Sequence, residues 1–261
     1  MISPETHSAL TIGDFKMSMT QDNAIFNQTA RNSASPLSNV GNENMNGGGA
    51  LKTSVQPKQM VFYEGDPADF VYEVLEGTVK LYKLLSDGRR QITGFFFPGD
   101  LIGVGLYEEH THSAEAITPV TLRKISKARL QDAMSENPVI GRHIFGLAAD
   151  ELAAAQDQLL LLGRKSPVEK VASFLLKLSE RNGERGEAAT PIYLPMARSD
   201  IADYLGLTTE TVSRTFSRLR RERAIRLLEN HLVDLIDLDR LESYADGEEC
   251  EHEGGYLRSV A

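Results

Sequence analysis

SDIADYLGLTTETVSRTFSRLRRE, from Ser199 to Glu222, decides how the rest of the chain is read. It predicts two short helices broken at Gly206, with Ser199 able to cap the first and Thr208 the second. Val212, Phe216 and Leu219 stand at i, i+4 and i+7 and face inward with Ile201, Ala202 and Leu205 of the first helix. Ala202, Gly206 and Val212 supply the small residue, the turn residue and the β-branched core residue that a helix-turn-helix needs, in register. Glu210, Ser213, Arg214 and Ser217 share another face that carries no apolar side chain. An ordinary helical hairpin with a solvated charged face would fit the pattern too, but it leaves the concentration of arginines unexplained.

That outward face has the chemistry of base reading. An arginine can bond O6 and N7 of guanine, a glutamate can accept from N4 of cytosine, and a serine can contact a thymine edge. Glutamate repels phosphate, so Glu210 belongs on a groove-facing helix only if it reads a base. Base-reading residues are therefore expected to be Glu210, Ser213 and Arg214. Thr208, Thr209, Ser217, Arg218, Arg220, Arg221 and Arg223 are expected to hold the DNA backbone. The chain as a whole carries a net charge of -9, yet from Met196 to Arg226 seven arginines face four acids. Charge placement matters more here than the sum.

Upstream, from Val61, short segments rich in β-branched and aromatic residues alternate with Gly, Pro and Asp, which predicts a small β-barrel or jelly roll. Asp87-Gly88 is expected to form a two-residue hairpin turn, and Gly77 and Gly99 mark further corners. A long helix is expected from near Pro138. Phe145, Ala148, Leu152, Ala155, Leu159 and Leu162 follow one another at spacings of 3, 4, 3, 4 and 3, a heptad seam suited to pairing with a second copy. A second row, Ile140, Ile144 and Leu147, can face the barrel. A single wide core-facing stripe within a monomer is the competing reading. A fresh helix starts after Ser166, with Pro167 at its first position, Glu169 completing a capping box and Gly183 as a stop. An extended segment "PIYLPM" and a hairpin within "IRLLENHLVDLID" flank the two short helices.

The organisation expected is a disordered, asparagine-rich arm over 1–50, a barrel over 51–137, a dimerisation helix over 138–163, a winged helix domain over 164–245 and an acidic flexible tail over 246–261. The fold class is α+β. The only cysteine, Cys250, lies in the acidic tail, which excludes a disulfide framework, a zinc finger or a cysteine-held iron–sulfur cluster within one chain. No apolar run approaches membrane-spanning length and no signal peptide is visible, so the expected location is cytoplasmic. "GLYEEHTHSAEA" admits a metal reading: His110 and His112 alternate as on a strand, with Glu115 after them, much as in the first motif of cupin enzymes. The remaining histidines lie far from this segment in sequence, so a surface loop with two titrating histidines is preferred. No hydrolase triad, phosphate-cradling loop or H-E-x-x-H is present, so no enzyme and no cofactor are expected.

These residues resemble the CRP/FNR family of bacterial transcription regulators over roughly residues 51 to 245, most specifically in "RRQITGFFFPGDLIG" and "ETVSR". The resemblance implies a cyclic-nucleotide-binding-like barrel, a dimerisation helix and a C-terminal winged helix. Glu210, Ser213 and Arg214 match the E-x-x-S-R triad of the FNR and FixK branch, which implies a palindrome of the type TTGAT-N4-ATCAA. It also implies double-stranded DNA, a second copy and RNA polymerase as partners, the last touched by barrel loops such as Asp87 to Arg90. Residues 1–249 contain no cysteine, so the cluster of an oxygen-sensing member has no ligands here. Val104 stands where a cyclic-AMP site needs glutamate, and His112-Ser113 where it needs Arg-Ser. The expectation is a FixK-type regulator, with an effector-gated regulator taking an unknown small molecule in its barrel as the alternative.

Overall fold

The computed structural model describes Leu37, Val40 and residues 51–105, 107–229 and 231–248. Eight strands form the first unit: β1 (Leu51–Val55), β2 (Met60–Phe62), β3 (Phe70–Glu76), β4 (Val79–Leu84), β5 (Arg90–Phe96), β6 (Leu101–Ile102), β7 (Ser113–Ala116) and β8 (Val120–Ser126). They make two antiparallel sheets, ordered β1-β8-β3-β6 and β2-β7-β4-β5. Period-two alternation assigns each strand an inner face, with Tyr72 and Val74 of β3 and Val120 and Leu122 of β8 meeting Val79, Phe96, Ala114 and Ala116 between the sheets. Gly77 turns β3 into β4 at φ +84°, and a Cβ there would stand 2.1 Å from the Pro119 carbonyl oxygen, so no other residue fits.

The hairpin between β4 and β5 differs from the expected two-residue turn. Leu85 N–H donates to Arg89 O (2.8 Å) and Gly88 N–H to Leu85 O (2.9 Å), which leaves three residues in the loop with Gly88 at φ +82°. The single positive-φ position suits a type I turn with a glycine bulge.

A helix not anticipated from sequence, α1 (Lys127–Glu136), follows β8 directly. Ser126 caps it by accepting from Arg129 N–H (3.2 Å), and Leu130 and Ala133 are buried one turn apart. Asn137 then caps the 27-residue α2 (Pro138–Arg164) by accepting from Val139 N–H (3.0 Å). Ile140 and Ile144 of the second apolar row pack with Val71 and Ile125 on the outer face of the first sheet, whereas Leu147, its third member, is half-buried and lies outside that cluster. Leu37 and Val40, assigned to the disordered arm, are buried in this same cluster. The remaining arm positions, and residues 249–261 of the expected tail with Cys250, lie outside the described residues.

The C-terminal unit contains α3 (Pro167–Glu184), β9 (Ile192–Tyr193), α4 (Arg198–Leu205), α5 (Thr209–Arg221), β10 (Ile225–Leu227), β11 (Leu232–Leu235) and α6 (Leu238–Ala245). Its strands form a small sheet ordered β10-β11-β9. Three expectations about helix ends are corrected. Ser166 does precede α3, but its hydroxyl donates to the Glu169 carboxylate (2.6 Å) and caps no backbone N–H. The helix continues through Gly183, and the left-handed glycine beyond it is Gly186. Ser199 lies inside α4, whose cap is Ala197. α6 packs Leu241, Tyr244 and Ala245 against the rest of the unit, which orders the first part of the acidic C-terminal region.

The core of the C-terminal unit extends onto the barrel. Ile92 and Phe95, on the outer face of β5, join Phe174, Leu175, Ile201, Tyr204, Val212 and Phe216. The architecture is thus α+β: a jelly-roll barrel, a long helix and a helix-turn-helix flanked by a wing.

Candidate nucleic-acid interface

α4 ends because Gly206 adopts a left-handed conformation (φ 62°, ψ 40°), with its N–H and that of Leu207 both returning to the Ala202 carbonyl. Two residues later Thr208 opens α5, its hydroxyl accepting from Thr211 N–H at 3.1 Å. Ile201, Ala202 and Leu205 then meet Val212, Phe216 and Leu219, all buried, so the apolar register read from the sequence is the one that packs. Arg198 lies over the Phe216 ring, its guanidinium carbon 3.4 Å from the centroid. Burial lowers the Arg198 pKa to about 10.

Burying that stripe turns the opposite one to solvent. Glu210, Arg214, Ser217 and Arg221 follow at i, i+4, i+7 and i+11 along the centre of the outward face, and all are exposed. Ser213 and Arg220 flank them on one side. The predicted readers are thus together on the first two turns: Arg214 Nη2 lies 2.6 Å from Glu210 Oε1, with both side chains more than two-thirds exposed. Ser213 and Ser217 direct their hydroxyls to the carbonyls of Thr209 and Ser213, both at 2.9 Å. Thr208 and Thr209 stand exposed at the positive end of the helix dipole, where backbone N–H groups favour an anion.

Arg218 stands apart from the other expected backbone anchors. It sits on the opposite flank, with Nε 3.1 Å from Glu222 Oε1 and its guanidinium 5.7 Å from the Tyr244 ring centroid. Glu222 also accepts from the Tyr244 hydroxyl at 2.5 Å. Partial burial opposes the Glu222 charge, yet these hydrogen bonds hold its carboxyl below the usual range. Arg218 therefore ties α5 to α6. Arg223, exposed just beyond α5, lies in a left-handed turn at φ 57°.

Along α2 the seam lies open. Phe145, Leu152 and Leu159 are 78%, 61% and 72% exposed, and Ala148 and Ala155 stand exposed between them. Leu162 departs from the row: it is half-buried, close to Gly206 of the helix-turn-helix.

The metal reading is corrected by the structure. β7 begins only at Ser113, so His110 and His112 do not alternate on a strand. His110 is buried and stacks on Phe62 with centroids 3.7 Å apart and planes 10° apart. It is therefore no solvated loop histidine either. Burial, with the charge of Lys127, lowers its pKa against the opposing pull of Asp66 and Asp69. Among the described residues no three His, Cys, Asp or Glu side chains gather as a metal site. Ser113, at the position matched to a cyclic-nucleotide phosphate contact, is buried and accepts from Glu64 N–H at 3.0 Å. The loop Asp87 to Arg90 is exposed only in part: Arg90 turns inward to Asp200 and Asp203, while Asp87 and Arg89 stay exposed.

Among the described residues no helix is long and apolar enough to cross a membrane. Residues 52–137 match the cyclic nucleotide-binding domain family and residues 169–244 the Crp-like helix-turn-helix domain family. The chain is 48% identical over 187 residues to the nitrogen fixation regulation protein FixK of Bradyrhizobium diazoefficiens, covering 72% of this chain and 78% of that protein. It is 43% identical to the transcriptional activatory protein AadR of Rhodopseudomonas palustris, over 72% of this chain and 79% of AadR. The structure of FixK2 from Bradyrhizobium japonicum superposes with a TM-score of 0.70 at 39% identity, over 75% of this chain and 96% of that one. With both domain families matched in order and the helix-turn-helix assembled, the chain belongs to the CRP/FNR family, as a DNA-binding transcription regulator of the FixK/FNR type.

Proposed function

We propose that two copies pair along Phe145, Ala148, Leu152, Ala155 and Leu159 of α2, and that each inserts α5 into the major groove of one half of a TTGAT-N4-ATCAA-like palindrome. The observation that carries this reading is the outward row on α5, where Glu210 and Arg214 stand exposed and in contact, with Ser213 beside them. Arg214 reads guanine, Glu210 the cytosine amino group and Ser213 a thymine edge. Thr208, Thr209, Ser217, Arg220, Arg221 and Arg223 hold phosphates on either side. Arg218 contributes through its tie to α6. Two-fold pairing would set the recognition helices one DNA turn apart, about 34 Å.

The chain acts as an activator of low-oxygen, respiratory or nitrogen-related genes, in keeping with the names of its relatives, and its role is regulatory and not enzymatic. RNA polymerase is met by the tip of the β4–β5 hairpin, a reading supported by the exposure of Asp87 and Arg89. Its output follows its abundance, with no effector required for binding. Selection of bound duplexes from a random pool, using protein freed of small molecules, tests the reading. Enrichment of the stated palindrome is expected; an enriched set lacking a shared TTGAT half, or no enrichment without an added effector, would overturn it.

A further inference from the structure

The first helix of the helix-turn-helix is gripped at both ends by residues outside its own domain. In its first turn, buried Asp200 accepts from Lys80 Nζ of β4 (2.9 Å) and Arg90 Nη2 of β5 (2.8 Å) through one oxygen, Oδ1. Arg90 also reaches Asp203 at 2.9 Å, and Glu115 of β7 balances Lys80 at 3.1 Å. At its last turn, where helix carbonyls lack internal partners, Gln91 of β5 donates to Asp203 O (2.8 Å) and Gln158 of α2 to Tyr204 O (2.7 Å). Phe95 packs on Phe174 and Tyr204 between these contacts. Further along, Asp100 meets Arg181 of α3 and Arg185 just beyond its end, and both guanidiniums lie over Phe97.

We propose that Lys80, Arg90, Gln91 and Gln158 are positioning residues that clamp α4 between the barrel and α2, and so set the half-site spacing the dimer accepts. A buried ion cluster adds little over apolar packing of the same shape, but it makes one register of the two surfaces far better than its neighbours. α5 follows α4 because their apolar faces interlock across Gly206. Gln158 lies next to Leu159 of the pairing seam, so the same clamp refers the recognition helix to the proposed dimer axis. Moving one half-site by one base pair rotates it about 34° and shifts it about 3.4 Å, a change a clamped helix cannot follow.

This inference rests on the palindromic reading above, and the experiment separates the two. Full-length wild type, Arg90→Ala/Gln91→Ala, Gln158→Ala and Asp200→Asn are each titrated against palindromes with three, four or five base pairs between halves. A duplex with a single half-site serves as reference, and thermal unfolding identifies the folded variants. The first two variants alter partly exposed side chains, so they keep the test valid if Asp200→Asn fails to fold. Wild type is expected to prefer one spacer by at least about tenfold. The folded variants are expected to lose about tenfold or more on that palindrome, narrow the preference to about threefold, and keep single half-site affinity within about twofold. Unchanged spacer preference, or an equal loss on the single half-site, would refute the clamp. Wild type that binds no palindrome better than the single half-site would refute the underlying reading instead.

Discussion

Glu210 and Arg214 form an exposed i, i+4 pair, in the orientation that complements the helix dipole. Such pairs are worth about 0.3 to 0.5 kcal/mol, so either side chain is free to exchange its partner for a base edge. Arg214→Ala is expected to cost about 1 to 3 kcal/mol per half-site and to narrow the gap between specific and random DNA. Competition titrations with both duplexes measure this, and an unchanged gap would remove Arg214 from base reading. His110 supports a prediction of another kind. Its folded-state pKa lies below the ordinary value near 6.5, chiefly through burial, so the unfolded chain binds the proton more tightly. Stability contributed by neutral His110 is present above about pH 6.5 and falls as acid approaches the lowered folded pKa. His110→Phe keeps a ring against Phe62 and removes the titration. Its urea midpoint should fall less than that of wild type between pH 7 and 5, and parallel profiles would show that His110 does not contribute.

α2 has two apolar stripes with different fates. Ile140 and Ile144 are covered by the barrel, α1 and the arm residues Leu37 and Val40, whereas Phe145, Leu152 and Leu159 are covered by nothing within the described residues. Leu152→Glu is expected to yield a monomer by sedimentation, with the barrel intact, because the position has no part in the chain's own core. A dimer of normal strength would take α2 out of the pairing reading. Both stripes were legible, since their period is local. Leu162 was assigned to the seam by spacing alone. Its half-burial beside Gly206 depends on where the helix-turn-helix docks, which no period encodes. α1 escaped notice because only two of its ten residues, Leu130 and Ala133, are buried, too few to declare a helical period. The hairpin at Asp87-Gly88 was correct in place and wrong in length, since Asp-Gly suits the two-residue turn but Gly88 can also close a three-residue one, in which Asp87 keeps a negative φ.

The acidic molecule presents its positive charge where Asp200 and Asp203 cannot cancel it, because both carboxylates are held by Lys80 and Arg90 on the barrel side of α4. Specific affinity should therefore fall steeply with salt, by roughly one logarithmic unit per tenfold salt for each phosphate contact. Arg220→Ala should weaken specific and random duplexes alike and flatten that dependence by about one contact per half-site. An Arg220→Ala chain with the wild-type slope would show that this arginine meets no phosphate. The barrel, the long helix, the helix-turn-helix and its outward row were all readable along the chain, because caps, glycine turns and apolar periods act over a few residues. The union of barrel and DNA-binding unit was not readable. Arg90 and Asp200 lie 110 residues apart, and nothing local distinguishes a buried partner from a solvated charge. In sequence Arg90 looked like part of a surface loop, and Leu37 and Val40 like part of an unstructured arm. Packing against distant elements assigned all three, because burial and ion pairing depend on what the folded chain brings within a few ångströms.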